Sequence, residues 1–160
     1  MKTIIFVLLL CLFCFFVKAQ SANNKLAITK AEKSKLENFW KKFKKAVLEE
    51  NKTGIASVCD FPVSCDYCDS VNGDNPNIKI TKFNFYTVNY KIFFSEYLKE
   101  VVNKKKILQI VGKNNDTNFN EYNFSFPIVK PSKRGEGKQG FFSLEKIKGE
   151  FKITSVWSIP

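Results

Sequence analysis

The stretch FWKKFKKAVLEENKTGIASVCDFP, at residues 39–62, is the most informative part of the chain because it holds two helix patterns and the exit into an extended segment. In its first half, apolar side chains recur every three or four residues, while lysines and glutamates occupy the remaining positions. This spacing predicts an amphipathic helix with one buried face. The stripe extends one turn towards the N-terminus, and its members are Leu36, Phe39, Trp40, Phe43 and Val47.

The two ends of this helical region carry their own signals. Thr29 and Glu32 have the S/T-x-x-E spacing of a capping box, so we expect the first helix to begin there and to run to about residue 50. Residues 51–54 then break the helix, and a second short helix is predicted over residues 55–59. That helix must stop at Phe61, because Pro62 disfavours helical geometry in the residue before it.

The next segment is a loop followed by an ambiguous aromatic region. Residues 66–79 are rich in turn formers and are predicted to be loop. Residues 81–103 fit a helical stripe, but their β-branched and aromatic residues also suit a strand. The stripe continues as far as Val101, so we favour a helix with Thr81 as its cap.

The C-terminal half is predicted to be β structure. Tyr122 begins an alternation of apolar and other residues that is typical of a half-buried strand. The other strands are expected at residues 107–111, 141–147 and 151–159, with a Lys- and Gly-rich loop at 130–140 and a turn at 148–149. Helices followed by a strand meander indicate an α+β fold, in which N-terminal helices pack in the concave face of a curved, mostly antiparallel sheet.

Residues 1–19 have the pattern of a secretory signal peptide. Lys2 precedes an apolar run over residues 3–17, which is shorter than the roughly 20 residues needed to cross a bilayer. Cleavage between Ala19 and Gln20 would leave no transmembrane segment and would make the protein secreted or periplasmic. We expect residues 20–29 to be a mobile lead, and residues 30–160 to form a single domain because no linker or repeat divides them.

The charge and the lack of histidine limit the functions open to this chain. The formal net charge is +11, and loss of Lys2 and Lys18 with the leader leaves +9. The lysines are scattered as on an ordinary solvated surface, and export disfavours nucleic acid as a partner. With no histidine, the chain has neither a Ser-His-Asp nor a Cys-His nucleophile, nor a histidine-ligated zinc. The densest basic groups are Lys41/Lys42/Lys44/Lys45, Lys104/Lys105/Lys106 and Lys130/Lys133/Arg134/Lys138.

Three cysteines lie within ten residues of one another and form the densest chemical feature of the mature chain. Cys59, Cys65 and Cys68 lack the fourth ligand of a good zinc site. The predicted loop that holds Cys65 and Cys68 lacks the helix start of a thioredoxin-type motif. Exported proteins commonly contain disulfides, so we expect one bond with one free thiol. All three pairings are open. We favour Cys65 with Cys68, which leaves Cys59 buried on the short helix.

Two other clusters resemble known sites only superficially. The first is a group of acidic residues near the cysteines, namely Asp60, Asp66, Asp69 and Asp74. Their spacing matches no calcium-binding loop, and aspartates are common in turns and at helix ends. The glycines of the basic loop are not placed between a strand and a helix, so a flexible hairpin loop is a better interpretation than a phosphate cradle; they are Gly135, Gly137 and Gly140.

Three segments together resemble the nuclear transport factor 2-like superfamily. They are residues 39–62, YKIFFSEYL at 90–98 and the terminal GEFKITSVWSI at 149–159. They are most similar to its small exported bacterial members. The resemblance covers roughly residues 30–160 and implies a cone-shaped cystatin-like fold with an apolar pocket between sheet and helices. Enzymes of this superfamily place an Asp, a Tyr or a His-Asp pair in the pocket. No Asp of this chain can be matched to those positions, so we assign no catalytic residue, cofactor or metal ligand.

The resulting expectation is an exported, non-catalytic domain that binds a small apolar ligand or a protein partner, including a second copy of itself. Two alternatives remain. The first is an isomerase or dehydratase that transfers protons through a pocket Tyr or Asp with a strongly shifted pKa. The second is a protein that binds an anionic envelope polymer or a membrane surface through its lysines.

Overall fold

The computed structural model of the protein describes residues 28–68, 78–113, 121–129 and 137–159. The leader, its cleavage site and nearly all of the predicted lead therefore lie outside the described residues. So do Asp69, Asp74, Gly135 and the basic residues at 130, 133 and 134.

In the described chain, two helices are followed by two strands, then by a second group of helices, and strands fill the C-terminal part. The helices are α1 (Lys30–Leu48), α2 (Lys52–Val58), α3 (Lys82–Thr87), α4 (Glu96–Lys104) and α5 (Ile107–Ile110), with a 3-10 segment at Asn89–Phe93. The strands are β1 (Cys59–Cys65), β2 (Ile78–Ile80), β3 (Val111–Lys113), β4 (Tyr122–Val129), β5 (Lys138–Ile147) and β6 (Glu150–Ile159).

Helix α1 forms as the sequence predicts, with the whole apolar stripe buried. The Glu32 backbone N–H donates to Thr29 Oγ1 at 3.2 Å, and the Thr29 N–H donates to Glu32 Oε2 at 3.1 Å. The capping box thus satisfies backbone groups that a helix start would leave unpaired. Helix α2 begins earlier than predicted, because the Asn51 side chain accepts the Gly54 N–H at 2.8 Å and caps it.

Within the described residues, the strands form one six-stranded sheet in the order β2-β1-β6-β5-β4-β3. All neighbouring pairs are antiparallel except β1 and β6, which are parallel. Register shifts occur in three of the pairings, and such bulges bend strands. The predicted α+β class, with helices packed on a mostly antiparallel sheet, is confirmed.

Four local predictions need correction. Cys59 begins strand β1 instead of ending a helix, and residues 78–79 belong to strand β2 instead of a loop. Gly140 lies within β5, not in a flexible loop. Residues 107–110 form a helical turn before strand β3, although their β-branched composition suggested a strand. There the Lys106 N–H donates to Gln109 Oε1 at 2.8 Å, a local hydrogen bond that composition cannot reveal.

The aromatic region at 81–103 is helical, as predicted, but it is not one continuous helix. Thr81 caps α3 by accepting the Asn84 N–H at 3.2 Å. The Thr87 hydroxyl then donates to the Phe83 carbonyl at 3.1 Å, and Ser95 Oγ accepts the Leu98 N–H at 3.3 Å to start α4. Such hydroxyl contacts occur at helix ends, and hydrophobic periodicity does not predict them.

Candidate functional site

Aromatic side chains fill the space between the helices and the sheet. Phe142 on β5 lies at their centre, with its ring centroid 5.2 Å from that of Phe124 and 4.8 Å from that of Phe126. Phe43 of α1 and Phe93 approach the same ring at 5.7 and 5.2 Å. All five side chains are almost completely buried. The region in which the resemblance implied an apolar pocket is therefore occupied by packed rings.

A pocket of about 250 Å³ lies at the edge of this core, between α1 and the turn that joins β5 to β6. At a share of about 30 Å³ per water molecule, this volume corresponds to roughly eight waters. It therefore suits a small molecule. The lining residues are Lys35, Asn38, Phe39, Lys42, Val58, Gly149, Glu150, Phe151 and Lys152.

The pocket combines an apolar floor with charged walls. Phe39, Val58 and Phe151 are nearly inaccessible and contribute the apolar surface. Three lysines and one glutamate line the same space, which gives the lining a formal charge of +2. This combination suits an anionic group attached to an apolar body.

Glu150 is positioned between two of the pocket lysines. Its carboxylate oxygens lie 3.7 Å from Lys42 Nζ and 3.7 Å from Lys152 Nζ. The Lys152 ammonium also donates to the Ser57 carbonyl at 2.6 Å, which ties β6 to the end of α2. The Glu150 carboxylate thus partly neutralises the two ammonium groups that would attract an anion into the pocket.

The backbone of the β5–β6 turn brings these residues to α1. Lys148 and Gly149 both have positive φ, at 49° and 85°, so the chain reverses within two residues. Glycine adopts this geometry without strain. An added Cβ at Gly149 would lie 3.6 Å from Lys35 Nζ, which places the turn directly against the helix.

The three mature cysteines are close in sequence but differ in state. Cys65 and Cys68 form a disulfide in the structure, with Cα atoms 5.6 Å apart, at the end of β1. Cys59 is a buried free thiol, and burial raises its pKa above the ordinary range. A protonated, buried thiol is a poor nucleophile.

No cluster suited to a metal ion occurs among the described residues. Of the predicted acidic group, Asp66 accepts the Ser158 N–H at 3.0 Å and so fastens the end of β1 to β6. Asp60 is exposed on β1. In the described part of the chain, no helix is long and apolar enough to span a membrane.

Two tyrosines, the partly buried Tyr67 and the buried Tyr122, have raised pKa values, but neither lines the pocket. Desolvation raises the pKa of Tyr67 and that of Tyr122, and a neighbouring acid adds to each shift: Asp66 for Tyr67 and Glu32 for Tyr122. A phenol is already protonated at neutral pH, and a raised pKa makes the phenolate that could accept a proton scarcer still.

The fold joins two lysine groups that are distant in sequence. Trp40 Nε1 donates to the Lys105 carbonyl at 3.2 Å, and Lys44 Nζ donates to the Asn103 carbonyl at 3.1 Å. These contacts place the lysines of α1 beside the chain at the end of α4. We call the combined surface the basic surface and define it by Lys41, Lys44, Lys45, Lys104, Lys105 and Lys106.

Sequence reasoning missed the pocket residues. Lys35, Lys42 and Lys152 each occur in an ordinary solvated pattern, and Glu150 immediately precedes the strand that the sequence predicts over residues 151–159. Lys35 and Lys42 share a helix face at a spacing of seven residues, but the chain gives no local signal that β6 would supply the opposite wall.

Comparisons with known proteins give structural likeness only. Neither a protein-family model nor a curated protein sequence matches the chain. A proposed ketosteroid isomerase from Shewanella frigidimarina has a TM-score of 0.44 and 12% identity, covering 83% of this chain and 98% of that one. A nuclear transport factor 2-like protein of unknown function from Shewanella oneidensis has a TM-score of 0.42 and 13% identity, covering 79% and 97%.

The association domain of a calcium/calmodulin-dependent protein kinase II from Caenorhabditis elegans is also similar, with a TM-score of 0.40, 13% identity and coverage of 82% and 97%. The matches thus include the superfamily that the sequence resembles. At TM-scores below 0.5 and identities of 12–13%, these matches carry no information about function.

Proposed function

We propose that this protein is an exported, non-catalytic binding domain whose ligand is a small anion with an apolar body. The ligand would occupy the pocket between α1 and the β5–β6 turn. The observation that carries this proposal is the convergence of Lys35, Lys42 and Lys152 around a floor made by buried apolar side chains. Export is supported by the leader pattern at residues 1–19.

The charge of the ligand distinguishes this proposal from the sequence-based expectation of a small apolar ligand or a protein partner. An apolar molecule would leave three ammonium groups without a partner on the ligand, whereas a carboxylate or phosphate could accept hydrogen bonds from them. The buried floor offers little apolar area, so the apolar part of the ligand must be small. Between the sheet and the helices, the rings of Phe124, Phe126 and Phe142 pack against one another.

Octanoate and 1-octanol provide a matched pair of probes, because they differ chiefly in the charged group. We expect octanoate to bind more tightly and to shift the backbone amide resonances of Gly149 and Phe151 in NMR titrations. Equal binding of the two probes, or shifts confined to other parts of the protein, would contradict the proposal.

Two substitutions in the pocket should change octanoate affinity in opposite directions. Lys42→Gln removes an attracting charge and should weaken binding about two- to fivefold, the range measured for exposed ion pairs. Glu150→Gln removes a competing carboxylate and should strengthen binding by a similar factor. Lys82→Gln, which lies outside the pocket lining and is exposed, is the matched control and should have no effect.

A further inference from the structure

The basic surface is built from two elements that meet only in the folded chain. Lys44 and Lys45 follow Lys41 by three and four residues on α1, so the three residues lie on one side of the helix. The hydrogen bonds of Trp40 and Lys44 to the carbonyls of Lys105 and Asn103 hold the second lysine group beside them. Six lysines therefore share one region of the surface.

Few acids neutralise this surface. Glu100 lies 2.9 Å from Lys104 Nζ and offsets that charge. Glu37 is exposed one turn before Lys41 on α1, and Glu49 and Glu50 follow the helix. Glu50 lies 2.6 Å from Lys99, so part of its charge is already engaged. Among the described residues, no acid lies within ion-pair distance of Lys41, Lys45, Lys105 or Lys106.

Two exposed leucines lie beside these lysines. Leu48 follows Lys41, Lys44 and Lys45 at helical spacing and is 42% exposed. Leu108 comes two residues after Lys106 and is 38% exposed. A binding site for a purely charged polymer has no need of such side chains, whereas a lipid surface takes up both components.

We propose that the basic surface docks the protein on a membrane that contains anionic lipids, with Leu48 and Leu108 entering the headgroup region. The lysines supply the attraction to lipid phosphates, and the leucines supply the preference for a bilayer over a dissolved polyanion. This surface includes none of the residues that line the pocket, so the inference does not depend on the proposed ligand.

Co-sedimentation with phosphatidylcholine vesicles, with and without phosphatidylglycerol, tests this proposal on the chain of residues 20–160. We expect binding only to vesicles that contain phosphatidylglycerol, and loss of that binding as ionic strength rises. The triple variant K41Q/K105Q/K106Q should bind roughly a hundredfold more weakly. The control K79Q/K82Q/K146Q removes the same charge from exposed sites elsewhere and should bind almost as well as the parent.

The leucines separate a membrane from a soluble polyanion. The variant L48S/L108S should bind anionic vesicles at least several-fold more weakly while its retention on heparin stays unchanged. Circular dichroism would verify that each variant is folded. If the leucine variant is not folded, the comparison of the two lysine triple variants decides the test. Retention on heparin without vesicle binding, or equal losses in the two lysine triples, would overturn the proposal.

Discussion

Cys59 illustrates how burial changes the chemistry of one side chain. The thiol lies at the junction of α2 and β1, and desolvation is the main cause of its raised pKa, with a smaller opposing contribution from Lys152. A thiol in this state reacts slowly, because the thiolate is the reactive species.

We expect Cys59 to resist Ellman's reagent in the folded protein and to react once the chain is unfolded. Counting thiols in the chain of residues 20–160 should give one in denaturant without reductant and three after reduction. A rapid reaction under native conditions would show that the thiol is accessible. Three thiols without reductant would show that Cys65 and Cys68 are not bonded.

The same burial affects stability in alkaline solution. Because the thiol pKa is raised by folding, the unfolded chain loses this proton first as pH rises. The free energy of unfolding should therefore fall once pH exceeds about 8.5, the pKa of an exposed thiol. Denaturation of Cys59→Ala should lack this part of the alkaline decline, and an identical decline in both proteins would contradict it.

At the start of α1, the Thr29 hydroxyl is the main cause of a lowered pKa for Glu32, followed by the hydrogen bond from the Thr29 backbone. A lowered carboxyl pKa stabilises the fold above the unfolded value of about 4.3. This contribution is lost as pH falls through the folded pKa. The capping box thus predicts a specific component of acid sensitivity.

Thr29→Ala should lower the free energy of unfolding at neutral pH by about 0.5–2 kcal/mol, because it removes the cap. The loss should shrink at acid pH, where Glu32 is protonated in both proteins. Urea denaturation at the two pH values measures this. Glu32→Gln is the control, because it keeps a hydrogen-bond acceptor that does not titrate. A loss of unfolding free energy for Thr29→Ala that is the same at both pH values would contradict the coupling between the cap and the ionisation of Glu32.

At the scale of whole elements, the pairing of β4 with β5 depends on a missing side chain. Gly140 lies opposite Phe126 in the ladder, and an added Cβ would lie 2.7 Å from Phe126 Cζ. The Phe126 ring in turn stacks on Phe142 at an interplanar angle of 17°. The glycine therefore provides the space in which the aromatic core closes against the sheet.

Gly140→Ala should lower the free energy of unfolding by about 1–3 kcal/mol, the usual cost of overpacking a core. Gly112→Ala in β3 is the matched control. Its nearest contact, Asn123 Oδ1 at 3.3 Å, belongs to a flexible side chain, so the cost should be smaller. Thermal denaturation measures both, and equal losses would show that the Phe126 ring does not confine this position.

The whole molecule presents different chemistry on the two flanks of α1. Lys35 and Lys42 face the pocket beside the β5–β6 turn, whereas Lys44 contacts the end of α4. One helix can contribute to both the pocket and the basic surface, because residues three, four or seven apart share a face and residues at other spacings lie on other faces. The lysines of this helix are thus divided between the pocket and the basic surface.

The predicted export concerns the entire chain, and its test is the identity of the N-terminus. When the full sequence is expressed in a host with a secretory pathway, we expect the protein outside the cytoplasm to begin at Gln20. Intact mass spectrometry distinguishes this form, including its cyclised variant, from the uncleaved chain. Extracytoplasmic protein that still begins at Met1 would contradict the prediction.

The sequence alone determined the elements whose signals are local. The capping box and apolar stripe predicted α1, and alternation predicted β4 and β6, because the periods of helices and strands are written in neighbouring residues. Composition failed at residues 107–110, where a side-chain hydrogen bond closes a helical turn, and periodicity missed the breaks between α3 and α4.

The features that join distant parts of the chain became apparent from the folded structure. It paired β1 in parallel with β6, filled the interior with phenylalanine rings, and placed the pocket at the edge of the core. It also brought Lys152 towards Lys42, and Lys105 towards Trp40. Such contacts depend on how complete elements pack, because the free energy of burial is shared among many side chains and leaves no signal at any one position.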